Sequence, residues 1–342
     1  MTILIGVDEA GYGPNLGPLC IGVTAWCVPD RRAGSSPIPS DAFDLYKLLA
    51  EAVSRKPAEG KIAIADSKQL YKPASHSKGG VGLKHLELGV LAALDVSNDD
   101  ETSTASLRDY IATTQADPEA LRKTIPWYKD SNASIPIDAD TELIDHTACR
   151  FRRVLEQTHV ELLAVRARLV FPEEFNSLVD RYTTKGAALS HVTLALVREV
   201  YDACIEQIAE QAQRRNIVIV CDKHGGRNRY GALLQHHFPE QWITTQVESR
   251  AASRYTWEDD ASRTEISFCT GGESFLPTAL ASMTAKYHRE LAMRSFNAFW
   301  QKHVPDIKPT AGYPLDARRF RAEIAGKQEE LGIKDRILWR KR

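Results

Sequence analysis

Apolar and polar positions along this chain fall into blocks whose period switches between two and 3.6, and the blocks predict a mixed α/β protein. Ile3 to Val7 is a short apolar run rich in β-branched residues that passes into Asp8-Glu9 and breaks on Gly11, Gly13 and Gly17. It reads as a strand ending in two carboxylates and a glycine turn. A second apolar run, Leu19 to Val28, follows at once, so the pair predicts an antiparallel hairpin with acids at its mouth. Glu161 to Phe171 alternates as a further strand, with Arg166 and Arg168 on one face. Asn216 to Val220 is continuously apolar, as a central strand buried on both faces is, and it delivers Asp222 just before Gly225-Gly226. Gln241 to Val247 is another strand candidate, whereas the polar stretch Glu248 to Thr264 fits neither period.

Helical spacing recurs in three long segments. Apolar residues at 83, 86, 90, 91 and 94 keep it, as do Leu189, Val192, Leu196 and Val200 within Gly186 to Gln213. The third segment begins near Pro277, where a missing N–H costs little, and runs toward His303. Its Lys286, Arg289 and Arg294 are placed to meet phosphates. Asp41 to Val53 predicts a shorter helix capped by Ser40 or Asp41, after a loop over Pro29 to Ser40. The span from about Tyr71 to His159 reads as an insertion with short helix-like pieces, Ser106 to Thr113 and Pro118 to Lys123. Its Trp127-Tyr128 pair fits packing in a small core better than a stacking surface for bases.

Charge sharpens the insertion. Between Asp95 and Asp145 stand 12 Asp or Glu against 4 Lys or Arg, a net of −8 within a chain whose total is −1. The remainder is therefore mildly basic, and Arg318-Arg319-Phe320-Arg321 and Lys334 to Arg342 carry much of that. A total near zero excludes binding to nucleic acid by bulk charge alone. Six cysteines include no Cys-x-x-Cys, and no close His spacing suggests a zinc cage. Several lie in apolar runs, which fits buried free thiols and a reducing compartment. No basic segment leads an apolar core and no apolar run approaches 18 residues, so the expectation is a cytoplasmic monomer without a membrane span.

Candidate chemistry concentrates at the strand ends. Two adjacent carboxylates raise each other's pKa unless a positive charge offsets them, and Mg²⁺ prefers such oxygen ligands. Taken alone, the pair also fits an Asp8 that starts a turn beside a solvated Glu9. Asp222, at the end of the central strand, fits either a ligand or a cap on the following turn. Glu273 lies in a Gly-Gly turn just before a helix.

In that order the blocks resemble one family, type 2 ribonuclease H (ribonuclease HII). The blocks are GVDEAGYGPNLGP, Asp66-Ser67-Lys68-Gln69-Leu70, NIVIVCD ending in Asp222, Gly272-Glu273 followed by ALASMTAKYHREL, and Gly312-Tyr313-Pro314. The resemblance implies a ribonuclease H-like fold: a mixed five-stranded sheet flanked by helices, here with the inserted acidic segment and a C-terminal helical extension. It implies a catalytic domain over residues 1–325, containing the insertion 71–159, and a basic tail over 326–342. Asp8, Glu9, Asp222 and Glu273 would be the catalytic acids and ligands of two Mg²⁺ or Mn²⁺ ions. Gly11, Tyr12, Gly13, Ser67, Lys68, Lys286 and Tyr313 would contact substrate. The implied substrate is an RNA–DNA hybrid or a ribonucleotide-containing duplex, cleaved by a two-metal mechanism. Tyr12 stands where the family has Arg, Glu273 where it has Asp, and the segments 71–159 and 223–270 fall outside the matched blocks. Two other readings are a catalytically inactive nucleic-acid-binding relative and a phosphotransferase of the actin and sugar-kinase architecture.

Overall fold

The computed structural model describes residues 1–30, 44–72, 81–97, 110–111, 114, 125–129, 134–208, 215–260 and 262–341. Its centre is a mixed seven-stranded sheet of order β5-β2-β1-β6-β9-β8-β7. The strands are β1 (Thr2–Ala10), β2 (Leu19–Val28), β5 (Glu161–Val170), β6 (Arg215–Asp222), β7 (Thr244–Glu248), β8 (Ala252–Glu258) and β9 (Ser262–Cys269). A separate two-stranded parallel ribbon joins β3 (Val53–Ser54) to β4 (Ile62–Ala63). The expected hairpin is present, β1 pairing antiparallel with β2 from Thr2↔Val28 to Ala10↔Cys20. β6 runs parallel to β1, and β9 parallel to β6.

Seven strands, rather than five, arise because the β7–β8 hairpin extends the sheet beyond β9. The sequence hid this extension. In β8, Ser253, Tyr255 and Trp257 are buried while the residues between them are half-exposed, so an alternating strand with Arg and Thr outward reads as merely polar.

The main helices are α1 (Lys84–Ser97), α2 (Thr141–Thr158), α3 (Pro172–Tyr182), α4 (Lys185–Ile208), α5 (Gly231–His237), α6 (Leu276–His303) and α7 (Pro314–Glu330). Alternation along β1 sorts its side chains onto two cores. Leu4 faces one with Trp26, α1, α2 and α6; Ile3, Ile5 and Val7 face the other with α4, whose Leu189, Val192, Leu196 and Val200 are buried as their spacing predicts. The helix expected over Asp41 to Val53 is a single turn, Leu45–Leu48, capped by the Asp44 carboxylate; Val53 instead enters β3. The helix-like pieces read at Ser106 to Thr113 and Pro118 to Lys123 fall almost wholly outside the described residues, as do residues 209–213.

The 71–159 segment packs into the first core through Leu86, Val90, Trp127, Tyr128, Ile144 and Phe151. Trp127 meets Phe296 edge-on at 5.0 Å, so the Trp127-Tyr128 pair is buried and offers no stacking surface. Glu87 is fully buried and acts as an anchor. Its carboxylate accepts from the backbone N–H groups of Ile137, Asp138 and Ala139 at 2.6, 2.8 and 2.8 Å, and from the Tyr287 hydroxyl at 3.1 Å. A buried charge is tolerated when its lone pairs are filled in this way.

Two glycines set the position of α6. A Cβ on Gly6 would lie 2.0 Å from the carbonyl carbon of Pro277, and one on Gly22 2.2 Å from the carbonyl oxygen of Ala281. The helix therefore rests directly on the backbones of β1 and β2. Thr24 donates to the Pro277 carbonyl at 2.8 Å and Thr278 to that of Val220 at 3.1 Å, fixing the helix start over three strands. All six cysteines are free thiols. Among the described residues no helix is long and apolar enough to cross a membrane.

Candidate functional site

β1 and β6 are neighbours in parallel register, Val7 opposite Cys221, so their last residues emerge side by side. Asp8 follows Val7 on β1 and Asp222 follows Cys221 on β6. Asp8 belongs to the face covered by α6; Glu9, next in the strand, leans to the other face where β1 ends. One carboxylate oxygen from each of Asp8, Glu9 and Asp222 lies within 4.8 Å of the others. Asp8 is buried, and its Oδ1 accepts from the Glu9 backbone N–H at 2.7 Å.

Glu273 lies close by but outside that 4.8 Å group. It occupies a 3₁₀ turn, Gly272–Ser274, after Gly271 at φ 76°, a left-handed conformation that favours glycine. A Cβ on Gly272 would stand 3.6 Å from the Asp222 backbone nitrogen, which places the turn against the end of β6.

The carboxylates crowd one another. Burial pushes Asp8 up, opposed by a hydrogen bond with Ser282 and reinforced by the charges of Asp222 and Glu273. Glu9 is raised by burial, then by Asp8 and Asp222, with Lys68 opposing. Asp222 is raised by burial and by Glu273. Acids held this close, three of them from central strands, form a set of hard oxygen donors that a divalent cation would neutralise, so the residues present fit Mg²⁺ or Mn²⁺.

Ser67 and Lys68 open a one-turn helix, Ser67–Leu70, whose cap is the Asp66 carboxylate. Ser67 is buried and bonded to Ser282 of α6 at 3.1 Å, while exposed Lys68 is raised by Asp66 and then by Asp8, Glu273 and Asp222. The structure thus brings the Asp-Ser-Lys block to the acids. Ser282 carries the link and was not singled out in the sequence, where it is one small residue in an apolar helix.

The glycine turn is held from beneath by two buried arginines. Arg289 donates to the carbonyls of Pro18, Leu16 and Ala311 at 2.6, 3.3 and 3.0 Å. It is therefore turned inward, not placed for phosphate as expected. Arg340 donates to the carbonyl of Gly11 at 2.5 Å and to that of Pro14. Gly11 and Gly17 have φ of 83° and 75°, and a Cβ on either would strike Arg289 or Met293. Lys286 pairs with Glu290 and lies 4.4 Å over the Tyr71 ring, while Arg294 pairs with Asp138 at 3.3 Å.

Tyr313 is 59% exposed, with a ring carbon 3.9 Å from where a Cβ on Gly13 would stand. It is a surface aromatic beside the turn, not part of a small core. Tyr12 faces a cavity of about 550 Å³ lined also by Gly186, His224 and the loop Gly225 to Arg229. Burial and then the Glu9 charge raise its phenol, and Arg227 opposes.

No family model matches the chain, and no curated protein matches it. Among solved structures it is similar to a chain of the PCNA:RNase HII complex from Archaeoglobus fulgidus, at 14% identity and a TM-score of 0.36, over 99% of this chain and 94% of that chain. It is similar also to ribonuclease H2 from Pyrococcus horikoshii OT3, at 12% identity and a TM-score of 0.38, over 98% and 92%. Bst-RNase HIII in complex with Mn²⁺ gives 12% and 0.38, over 99% and 66%. Likeness this distant carries no inference about chemistry.

Proposed function

We propose that this chain is a divalent-metal-dependent endonuclease that hydrolyses the RNA strand of RNA–DNA hybrids or the phosphodiester at ribonucleotides in duplex DNA. The observation that carries the reading is the convergence of Asp8, Glu9 and Asp222 within 4.8 Å at the ends of two adjacent parallel strands. With it goes the ordered series of blocks that resembles type 2 ribonuclease H.

Asp8, Glu9 and Asp222, with Glu273 beside them, would hold two Mg²⁺ or Mn²⁺ ions. Such ions, when bound, activate a water and stabilise the leaving oxygen, so that no side-chain nucleophile is needed. Lys68 sets a positive charge against the acids and is exposed to meet a substrate phosphate. The turn from Gly11 to Gly13 presents backbone where a ribose 2′-OH, the group that distinguishes RNA from DNA, would be read. Tyr313 offers an exposed ring to the neighbouring sugar, and Tyr12 takes the place of an arginine in the same turn.

Cleavage of an end-labelled hybrid with Mg²⁺ or Mn²⁺ tests the reading: the purified chain should cut the RNA strand, and Asp222→Asn should not. Equal behaviour of the two proteins would overturn it. The position of Glu273 outside the tight group favours, as a second reading, a relative that binds hybrids without cutting them. Hybrid binding with no product under either metal would support that one.

A further inference from the structure

Three histidines outside the acidic site meet between helices α4 and α5. His191 comes from the first half of α4; His236 and His237 end α5. In the sequence they are 45 positions apart and carry no metal-binding spacing. The fold makes them a nearly equilateral set. Their ring centres are 5.1 Å apart for His191 and His236, 5.2 Å for His191 and His237, and 5.0 Å for His236 and His237.

Those distances have a physical meaning. With Zn–N bonds of about 2.0–2.1 Å and about 1.1 Å from ring nitrogen to ring centre, three imidazoles around a tetrahedral ion have centres about 5.2 Å apart. Two ligand nitrogens on such an ion stand about 3.3 Å apart by the same geometry. His191 Nδ1 and His237 Nε2 are 3.1 Å apart, and one ring nitrogen from each of the three lies within 4.8 Å of the others. Consecutive helical residues diverge by about 100°, so His236 and His237 can share an ion only at a helix end, and they occupy the last turn of α5.

The rings are also held in place. Tyr182 stacks flat on His191, centres 3.7 Å apart and planes 13° apart. Arg198 donates to the His237 carbonyl at 3.3 Å and is itself fixed by Asp202 at 2.6 Å and Glu240 at 2.5 Å. His191 and His237 are half-buried and His236 is exposed, which leaves room for a water as fourth ligand.

We propose that His191, His236 and His237 form a second metal site, selective for a nitrogen-seeking divalent ion of the Zn²⁺ class, that ties α5 to α4. No carboxylate belongs to the triad, and the positive charge of Arg181 and Arg227 near His191 opposes all divalent ions alike, so the selectivity comes from the imidazole donors. Hard ions such as Mg²⁺ and Mn²⁺ prefer oxygen ligands and gain little here, whereas Zn²⁺, Co²⁺ and Cu²⁺ bind imidazole strongly. The ion would fix α5, and with it the preceding loop that carries Arg227 and Arg229 along the Tyr12 cavity.

The test uses the full chain carrying Asp222→Asn, which weakens the acidic cluster, titrated with ZnCl₂ in excess Mg²⁺ and followed by calorimetry. One equivalent should bind, CoCl₂ should give the intense visible absorption of a tetrahedral site, and bound Zn²⁺ should raise Tm. Adding His191→Ala or His237→Ala should weaken binding at least 100-fold, and the exposed His236→Gln should remove the cobalt band in a chain whose circular dichroism is unchanged. No uptake of Zn²⁺, or uptake that survives these substitutions, would overturn the proposal. Neither outcome depends on whether the chain cleaves nucleic acid.

Discussion

The guanidinium of Arg340 donates to the carbonyl of Gly11 across 329 positions of sequence, placing a buried cation under the turn that follows Asp8 and Glu9. The segment around it is secured at three more points. Asn176 donates to the Trp339 carbonyl at 2.7 Å, the Lys341 N–H donates to Asn176 at 2.7 Å, and the Arg340 N–H donates to the Asn15 carbonyl at 3.0 Å. Burial, then the charge of Arg289, lowers Arg340 to about 9. Arg340→Ala should therefore strand the carbonyls of Gly11 and Pro14 and cost about 3 kcal/mol, with Tm falling and hybrid cleavage lost together. Arg340→Lys should fail to rescue in full, because both carbonyls accept from the one distal Nη2, a position the shorter lysine side chain does not reach. Thermal denaturation and cleavage of both variants check this.

Gly6 and Gly22 admit no side chain. Alanine at either would drive a Cβ into the backbone of α6, at 2.0 Å from Pro277 or 2.2 Å from Ala281. The helix carrying Ser282 would have to lift from the sheet, so each substitution should cost about 3 kcal/mol or more. Urea unfolding measures the loss, and a wild-type midpoint for Gly6→Ala would refute the close approach.

Glu87 is itself fully buried and accepts from three backbone N–H groups of one turn. Glu87→Ala should leave them orphaned and cost about 3 kcal/mol or more, whereas exposed acids such as Glu142 should cost less than about 0.5 kcal/mol when changed to alanine. Paired denaturation curves distinguish the two.

Without added metal, stability should fall as pH rises from about 7 to about 8. Burial and mutual repulsion push Asp8 up to about 7 and Glu9 up to about 8, while burial lowers His224, His237 and His288 to about 3, 4 and 4. Above about pH 7 those histidines are neutral in both states, so between about pH 7 and 8 the raised acids set the sign and the folded chain binds more protons than the unfolded one. Stability then decreases with pH across that window and levels off above it. Thermal scans at about pH 7 and pH 8.5 in EDTA should show the higher Tm at pH 7. Excess Mg²⁺ should shrink the difference, since a cation favours the charged carboxylates.

The same repulsion gives Asp222→Asn an opposite sign in two measurements. Removing one charge from the cluster should raise the metal-free Tm at pH 8, while Mg²⁺ should stabilise the variant less than the parent chain. A lower metal-free Tm would mean that the acids are already compensated.

Much of the frame was written in short-range pattern. The β1–β2 hairpin, the buried strand that ends at Asp222, and the spacing of α4 and α6 all follow from which residues must leave water, and that information is local. The same is true of Asp8, Glu9 and Asp222 as strand-end acids, because chain direction and residue type already place them at a boundary. What the pattern could not supply was who meets whom. Arg289 was expected at a phosphate and instead fills a backbone socket; Ser282, Arg340 and the histidine trio belong to sites only because helices and strands pack at particular angles. Hydrophobic periodicity fixes the face an element buries, but a hydrogen bond or a shared ion depends on distances between elements. Those are set by contacts such as Gly6 on Pro277, which no single stretch of chain contains.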